Sequence, residues 1–246
     1  MGRLASSRAK LARERAHGRV VERPGEPCYP CYRAGPDGRR GKTSLSTPER
    51  ATTFEVVAIA TSAGGLKALS QVLATLPADF APAIVVVQHL DPRHRSLMAD
   101  ILSRRSTLPV KQAEEGDKLQ PGTVFIAPPN KHLLVNPDGS LSLTQSELVH
   151  FVRPSGDLLF ESVAGSFKSR AIAVVLTGTG SDGSMGVQAI KKMGGTVLAQ
   201  DEASSEFYGM PYAAIQTGCV DFVLSLSEIS PALITLVRTG EVDERG

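Results

Sequence analysis

Three short runs in this chain are aliphatic at nearly every position: FEVVAIA at 54–60, AIVVVQHL at 83–90 and AIAVVL at 171–176. A strand with one face on water alternates apolar and polar residues, whereas a strand covered on both faces does not. Each run is also followed by a turn rich in glycine or proline and then by a stretch of helical periodicity, over Leu66–Leu76, His94–Arg105 and from GTGSDG to Met193. Strands that alternate with helices, each strand buried on both faces, point to an α/β fold: an open, doubly wound, mostly parallel sheet with helices on both faces.

The remaining segments fit the same plan. Further strands are expected near Val110, at VFIAP (124–128), TVLAQ (196–200) and VDFVL (220–224). A small β-hairpin is expected where HLLVNPDGSLSL (132–143) turns about Pro-Asp-Gly. Helices are expected from Pro154 to about Phe167, over Pro211–Gln216 and over Ser227–Val237. Aromatics are 5% with no Trp, so Val, Ile, Leu and Ala must build the core.

Order is expected over 54–240, between a basic leader at 1–53 and a short tail at 241–246. Residues 1–50 hold 12 Lys/Arg against 5 Asp/Glu, while the rest holds 15 against 20. The leader lacks sustained periodicity and contains the Pro/Gly-rich stretch Arg23–Gly41, so it reads as a disordered, solvated segment with no nucleic-acid partner. A helix over Leu4–Ala16 would have nothing to pack on. Cys28 and Cys31 have CxxC spacing but no second pair to complete a zinc site. Met1-Gly2 with Ser6 matches a myristoylation pattern too short to carry weight. Three cysteines without a disulfide framework, no apolar run near the ~18 residues of a bilayer span and no secretory signal together predict a cytoplasmic protein without membrane insertion.

Ligands of such sheets bind beyond the carboxyl ends of the strands, and three reactive side chains fall there. Ser62 follows the first strand and precedes Ala63-Gly64-Gly65 and a helix, a turn that resembles a nucleophile elbow with Ala60 where the first glycine of G-x-S-x-G would stand. The helix start supplies free N–H groups for an oxyanion. His89 closes the second run, where an imidazole can take and return a proton. Asp182, after AIAVVLT, can orient that imidazole. Taken singly, the serine reads as an N-cap, the histidine as structural and the aspartate as an N-cap; their shared placement argues for a triad. A metal reading that adds Asp91 and His94 to His89 has no regular ligand spacing, and no metal or other cofactor is expected.

The same loop permits another reading. Gly178, Gly180 and Gly183 satisfy G-x-G-x-x-G between strand and helix, with Asp201 downstream for a ribose hydroxyl, as in a dinucleotide-binding oxidoreductase. Against it, Asp182 places negative charge where pyrophosphate would sit. A non-catalytic signalling module with this fold is a third reading.

The blocks AIATSAGGLKAL (58–69), VVVQHLDP (85–92), FIAPPNKHL (125–133), RPSGDLLFESVA (153–164), VVLTGTGSDGSMG (174–186), AQDEASS (199–205) and YGMPYAAI (208–215), in this order, resemble the catalytic domain of CheB-type chemotaxis methylesterases. The resemblance covers about Val56 to Val237 and places the family's serine, histidine and aspartate on Ser62, His89 and Asp182. It implies hydrolysis of glutamyl methyl esters on the cytoplasmic helices of chemoreceptors or related signalling proteins, with glutamine deamidation as a side activity and no cofactor. Relatives commonly carry an N-terminal receiver domain, which 50 residues cannot form, so that control is expected to be absent. Ala63 stands where a Thr often follows the nucleophile.

Overall fold

A computed structural model describes residues 54–89, 97–149 and 152–239. The leader with its Cys28–Cys31 pair, Ser6 and possible Leu4–Ala16 helix lies outside these residues, as do Asp91, His94 and the 241–246 tail. In chain order the elements are β1 (Val56–Thr61), α1 (Gly65–Thr75), β2 (Ala83–Gln88), α2 (Met98–Ser103), β3 (Val110–Gln112), β4 (Val124–Ile126), β5 (His132–Val135) and β6 (Leu141–Thr144). There follow α3 (Gly156–Phe167), β7 (Ala171–Val175), α4 (Ser184–Lys192), β8 (Thr196–Gln200), α5 (Gly209–Gln216), β9 (Phe222–Leu224) and α6 (Leu226–Thr239).

Seven strands form one sheet in the order β3-β4-β2-β1-β7-β8-β9, every pair parallel. The small hairpin is β5–β6, paired antiparallel from His132↔Thr144 to Val135↔Leu141. The three aliphatic runs become the adjacent central strands β2, β1 and β7, whose residues are buried throughout. Side chains alternate across the sheet. Val57, Ile59, Ile84, Val86, Ile172 and Val174 join a core roofed by α1, α2 and α6. Val56, Ala58, Ala60, Val85, Val87, Ala173 and Val175 join a second core, under α3, α4, α5 and the hairpin. Two cores on opposite faces explain why these strands are aliphatic up to their carboxyl ends, where Thr61 and Gln88 stand beside the loops.

From β1 the chain moves outward through β2 to the edge strand β3, comes back to place β4 between β3 and β2, and then crosses the sheet to β7 on the other side of β1. The winding direction therefore reverses at β1, the place where open α/β sheets open a crevice at the carboxyl ends. Several boundaries differ from the periodicity. The second helix is described only over Met98–Ser103, and the last strand only over Phe222–Leu224, while α3 follows Pro154 as expected, with Ser155 as its N-cap.

Candidate active site

The helices that follow β1 and β7 both start from a glycine in the left-handed region: Gly64 at φ 78 before α1 and Gly183 at φ 95 before α4. Each strand thus reverses into its helix within a few residues, which only glycine does without strain. Ser62 sits at the first of these reversals. Its turn is fastened from β7, where the Thr177 carbonyl accepts the Ser62 N–H at 3.0 Å and the Thr61 hydroxyl at 2.7 Å. The Thr177 hydroxyl in turn donates to the Ala63 carbonyl at 3.1 Å.

His89 lies in register beside Ser62, since Thr61 pairs with Gln88 across β1 and β2 and the His89 N–H donates to the Thr61 carbonyl at 3.1 Å. Gln88 locks the two together. Its side-chain amide donates to the Ser62 carbonyl at 2.6 Å and to the His89 carbonyl at 3.0 Å. The backbone that carries the serine and the backbone that carries the histidine thus share one bridging group.

Asp182 is the most constrained of the three. Its carboxylate accepts from His89 Nε2 at 2.7 Å, from the Ser155 hydroxyl at 2.7 Å, from Gly156 N–H at 2.5 Å and from Asp157 N–H at 3.2 Å. Asp182 therefore caps no part of α4, the helix that follows it in the chain; it sits at the amino end of α3, where the helix dipole favours an anion. Burial opposes its ionisation, its side chain being only 3% exposed, but the hydrogen bonds from His89, Gly156 and Ser155 outweigh that cost and hold the carboxyl below the usual carboxylate range. An ionised carboxylate only accepts, so it is His89 Nε2 that carries the shared hydrogen.

The structure thus brings His89 and Asp182 into a direct hydrogen bond and sets Ser62 on the neighbouring strand end. Among the described residues the Ser62 hydroxyl has no hydrogen-bond partner, His89 included. Alanine at position 60, unlike the glycine of G-x-S-x-G, has a packing reason. It faces α3, and a Cβ built on Gly156 would stand 2.7 Å from the Ala60 Cβ, so the two small residues let the amino end of α3 reach the site. Asp157 repays the arrangement by accepting Gly186 N–H, at the start of α4, at 2.7 Å. Each of the two neighbouring helices is capped by a carboxylate from the other segment.

Sequence reasoning missed Gln88, Thr177 and Ser155–Asp157 as parts of this site. Ser-Gly-Asp ahead of an apolar helical run signals an N-terminus, but nothing in the chain says which anion it would hold. The G-x-G-x-x-G reading is not supported. A side chain at Gly178 would meet Met210 and lie 2.9 Å from the Ser62 Cβ, so this glycine serves close packing of protein on protein. The Asp201 carboxylate is taken by the Ser204 N–H and hydroxyl. No group of three or more metal-ligating side chains occurs among the described residues.

The model of the CheB methylesterase family matches residues 57–233. The chain belongs to this family. It is 42% identical over 194 residues to the protein-glutamate methylesterase/protein-glutamine glutaminase of Moorella thermoacetica, covering 77% of this chain and 46% of that protein. A putative protein of the same name from Leptospira interrogans is 40% identical over 74% of this chain and 95% of its own length. The CheB methylesterase catalytic domain of Thermotoga maritima superposes with a TM-score of 0.72 at 39% identity, over 75% of this chain and all of that one. The chain spans about half the length of the Moorella relative, and the family's catalytic domain is the part that they share.

Proposed function

We propose that the chain hydrolyses γ-methyl esters of glutamyl residues in proteins through Ser62, His89 and Asp182. The observation that carries this reading is the His89–Asp182 pair, joined at 2.7 Å and set beside a serine whose hydroxyl is unengaged among the described residues. The relatives of this chain named protein-glutamate methylesterase/protein-glutamine glutaminase supply the substrate class.

In this mechanism Ser62 Oγ attacks the ester carbonyl and passes its proton to His89 Nδ1, while Asp182 stabilises the imidazolium through Nε2. N–H groups at the start of α1 receive the developing oxyanion. The tetrahedral intermediate collapses, methanol leaves with the proton from His89, and a glutamyl ester of Ser62 remains. Water, deprotonated by His89, then releases glutamate and restores the serine. Glutamine deamidation follows the same course with ammonia as the leaving group. No metal or cofactor enters either step.

The partners that fit are the methylated cytoplasmic helices of chemoreceptors or related signalling proteins, which places the enzyme in the cytoplasm. Among the described residues no helix is long and apolar enough to cross a membrane. The test is methanol release from methylated receptor, comparing the chain with Ser62→Ala. Release that depends on Ser62 supports the reading, and equal release by both proteins sinks it.

A further inference from the structure

A groove of ≈ 900 Å³ runs from Ser62 along the surface between α1 and α2. An esterified glutamyl side chain needs only its mouth. From Gly65 to Ala74, the last groove residue on α1, the helix advances about 13 Å, so most of the groove extends past the reacting bond. The far end is marked by Arg105, which lines the groove beyond α2, where the Thr107 hydroxyl ties that segment to the Leu76 carbonyl just past α1.

Two features of the lining point to its occupant. The walls carry apolar side chains open to solvent, among them Leu66, Ala74 and Ile101, the last 38% exposed. A groove with apolar walls is how proteins hold one face of an amphipathic helix. Among the described residues the charged side chains that line it are Lys67 and Arg105. Neither cation has a carboxylate within ion-pair distance among the described residues. Among the described residues the groove therefore presents two cations without an acidic partner along an apolar trough that begins at Ser62.

We propose that this groove seats a helical segment of the protein substrate, and that Lys67 and Arg105 select segments bearing free carboxylates on the same face as the esterified glutamate. The inference rests on the methylesterase reading and names the substrate class of that site. The chemistry agrees, because each turnover leaves a glutamate, so a segment with several reactive positions grows more acidic as it is processed. A helix lying along the groove covers about nine residues at 1.5 Å each. That sets one carboxylate about one turn from the ester, opposite Lys67, and another two turns or more away, toward Arg105.

The test uses two synthetic helical peptides, each with a single glutamyl γ-methyl ester. One has glutamates at those two spacings and the other has glutamines. Methanol release should show a KM about three- to thirtyfold lower for the acidic peptide at low salt, the range expected of two exposed ion pairs. The difference should shrink as ionic strength rises. In the double variant Lys67→Gln/Arg105→Gln the discrimination should vanish, with the loss appearing in KM. Equal KM for the two peptides with the native chain, or discrimination that survives in the double variant, overturns the proposal. N-acetylglutamate γ-methyl ester separates this failure from that of the underlying reading. If the native chain cleaves the small ester without preferring the acidic peptide, only the groove is wrong; if it cleaves neither ester nor peptide, the methylesterase reading fails with it.

Discussion

The turn after β1 and the turn after β7 draw on the same residue types, glycine, serine and threonine at the carboxyl ends of adjacent strands, and they treat their reactive side chains in opposite ways. In the first, hydrogen bonds from Gln88 and to Thr177 hold the Ser62 backbone, and its hydroxyl is left alone. In the second, the side chain itself is held, with four donors on the Asp182 carboxylate. In the proposed mechanism the nucleophile must be free to change partners during the reaction, whereas the group that orients the base must not move. Under that proposal, fastening one turn by its backbone and the other by its side chain matches the two roles, a distinction that residue composition does not display.

The largest effects should come from the free side of this comparison. Ser62→Ala or His89→Ala should lower turnover by about 10⁴- to 10⁶-fold, because members of a triad act as a unit. The two variants should differ in stability. Ser62→Ala removes a hydroxyl with no partner among the described residues and should leave the thermal midpoint where it was; His89→Ala takes a donor from the buried Asp182 and should lower it. Methanol release and thermal denaturation on the same preparations check both halves. A marked drop in midpoint for Ser62→Ala would mean that its hydroxyl is engaged after all, and the contrast would collapse.

Next comes the held side. Asp182→Asn keeps the size of the side chain but turns an amide N–H₂ toward donors, and should cost about 10²- to 10⁴-fold in turnover by releasing the imidazole from its tautomer. Stability should fall by about 1–3 kcal/mol, as for a buried charge-assisted hydrogen bond. The pH dependence follows from sign. The folded carboxyl titrates below its unfolded value, so its contribution is complete above the ordinary carboxylate range and fades as pH falls through the lowered value. The gap in thermal midpoint between the native chain and the variant should therefore be widest near neutrality and narrow in acid. A gap that is constant with pH would show that Asp182 contributes shape and no charge.

Gly178 joins the two turns and gives a smaller effect. A methyl group there would lie 2.9 Å from the Ser62 Cβ and 3.0 Å from the Ser62 nitrogen, and would crowd Met210. Gly178→Ala should cost about 1–3 kcal/mol, the usual range for overpacking. Turnover should drop up to about 10²-fold as Ser62 is displaced relative to His89. Pairing the variant with Met210→Ala separates the contacts. Relief of the stability loss without recovery of turnover would assign the stability cost to Met210 and the catalytic cost to the Ser62 turn.

These variants also mark what could be read in the chain. The central strands were legible because burial on both faces leaves aliphatic runs, as in Ile172–Val175, and the placement of Ser62, His89 and Asp182 beyond the carboxyl ends of strands because each follows such a run. The short edge strands were legible only roughly: VDFVL (220–224) became Phe222–Leu224, since an edge strand is paired on one side and its ends are set by its neighbour. The supports of the site were hidden for another reason. Ser155 and Gly156 meet Asp182 across more than 20 residues of chain, and Gln88 reaches Ser62 from a different strand. Such contacts follow from strand order and helix docking, which no local pattern encodes.

The smallest expected effect concerns the glycine pattern of the β7–α4 turn, and it decides whether that turn holds a side chain or a phosphate. A dinucleotide site needs unoccupied N–H groups at the start of the helix, room for pyrophosphate and a free carboxylate for the ribose. Here Ser184 N–H donates to the Ser181 carbonyl at 3.1 Å and Gly186 N–H to Asp157 at 2.7 Å, so the amino end of α4 is already served from within the protein. Asp182 adds a negative charge to the same turn, and Asp201 closes a local turn on Ser204 at 3.0 Å. Calorimetry with NAD or NADP should therefore detect no binding. Asp201→Asn should leave turnover within about twofold and stability within about 1 kcal/mol, because a side-chain amide oxygen can still accept from the Ser204 N–H. The outcome that reverses this view is a saturable isotherm for either nucleotide that is lost in Gly180→Val. Gly180, at φ 84 with open space where its side chain would point, would then be receiving phosphate. Binding unaffected by Gly180→Val would place the nucleotide elsewhere on the protein and leave the contrast between the two turns intact.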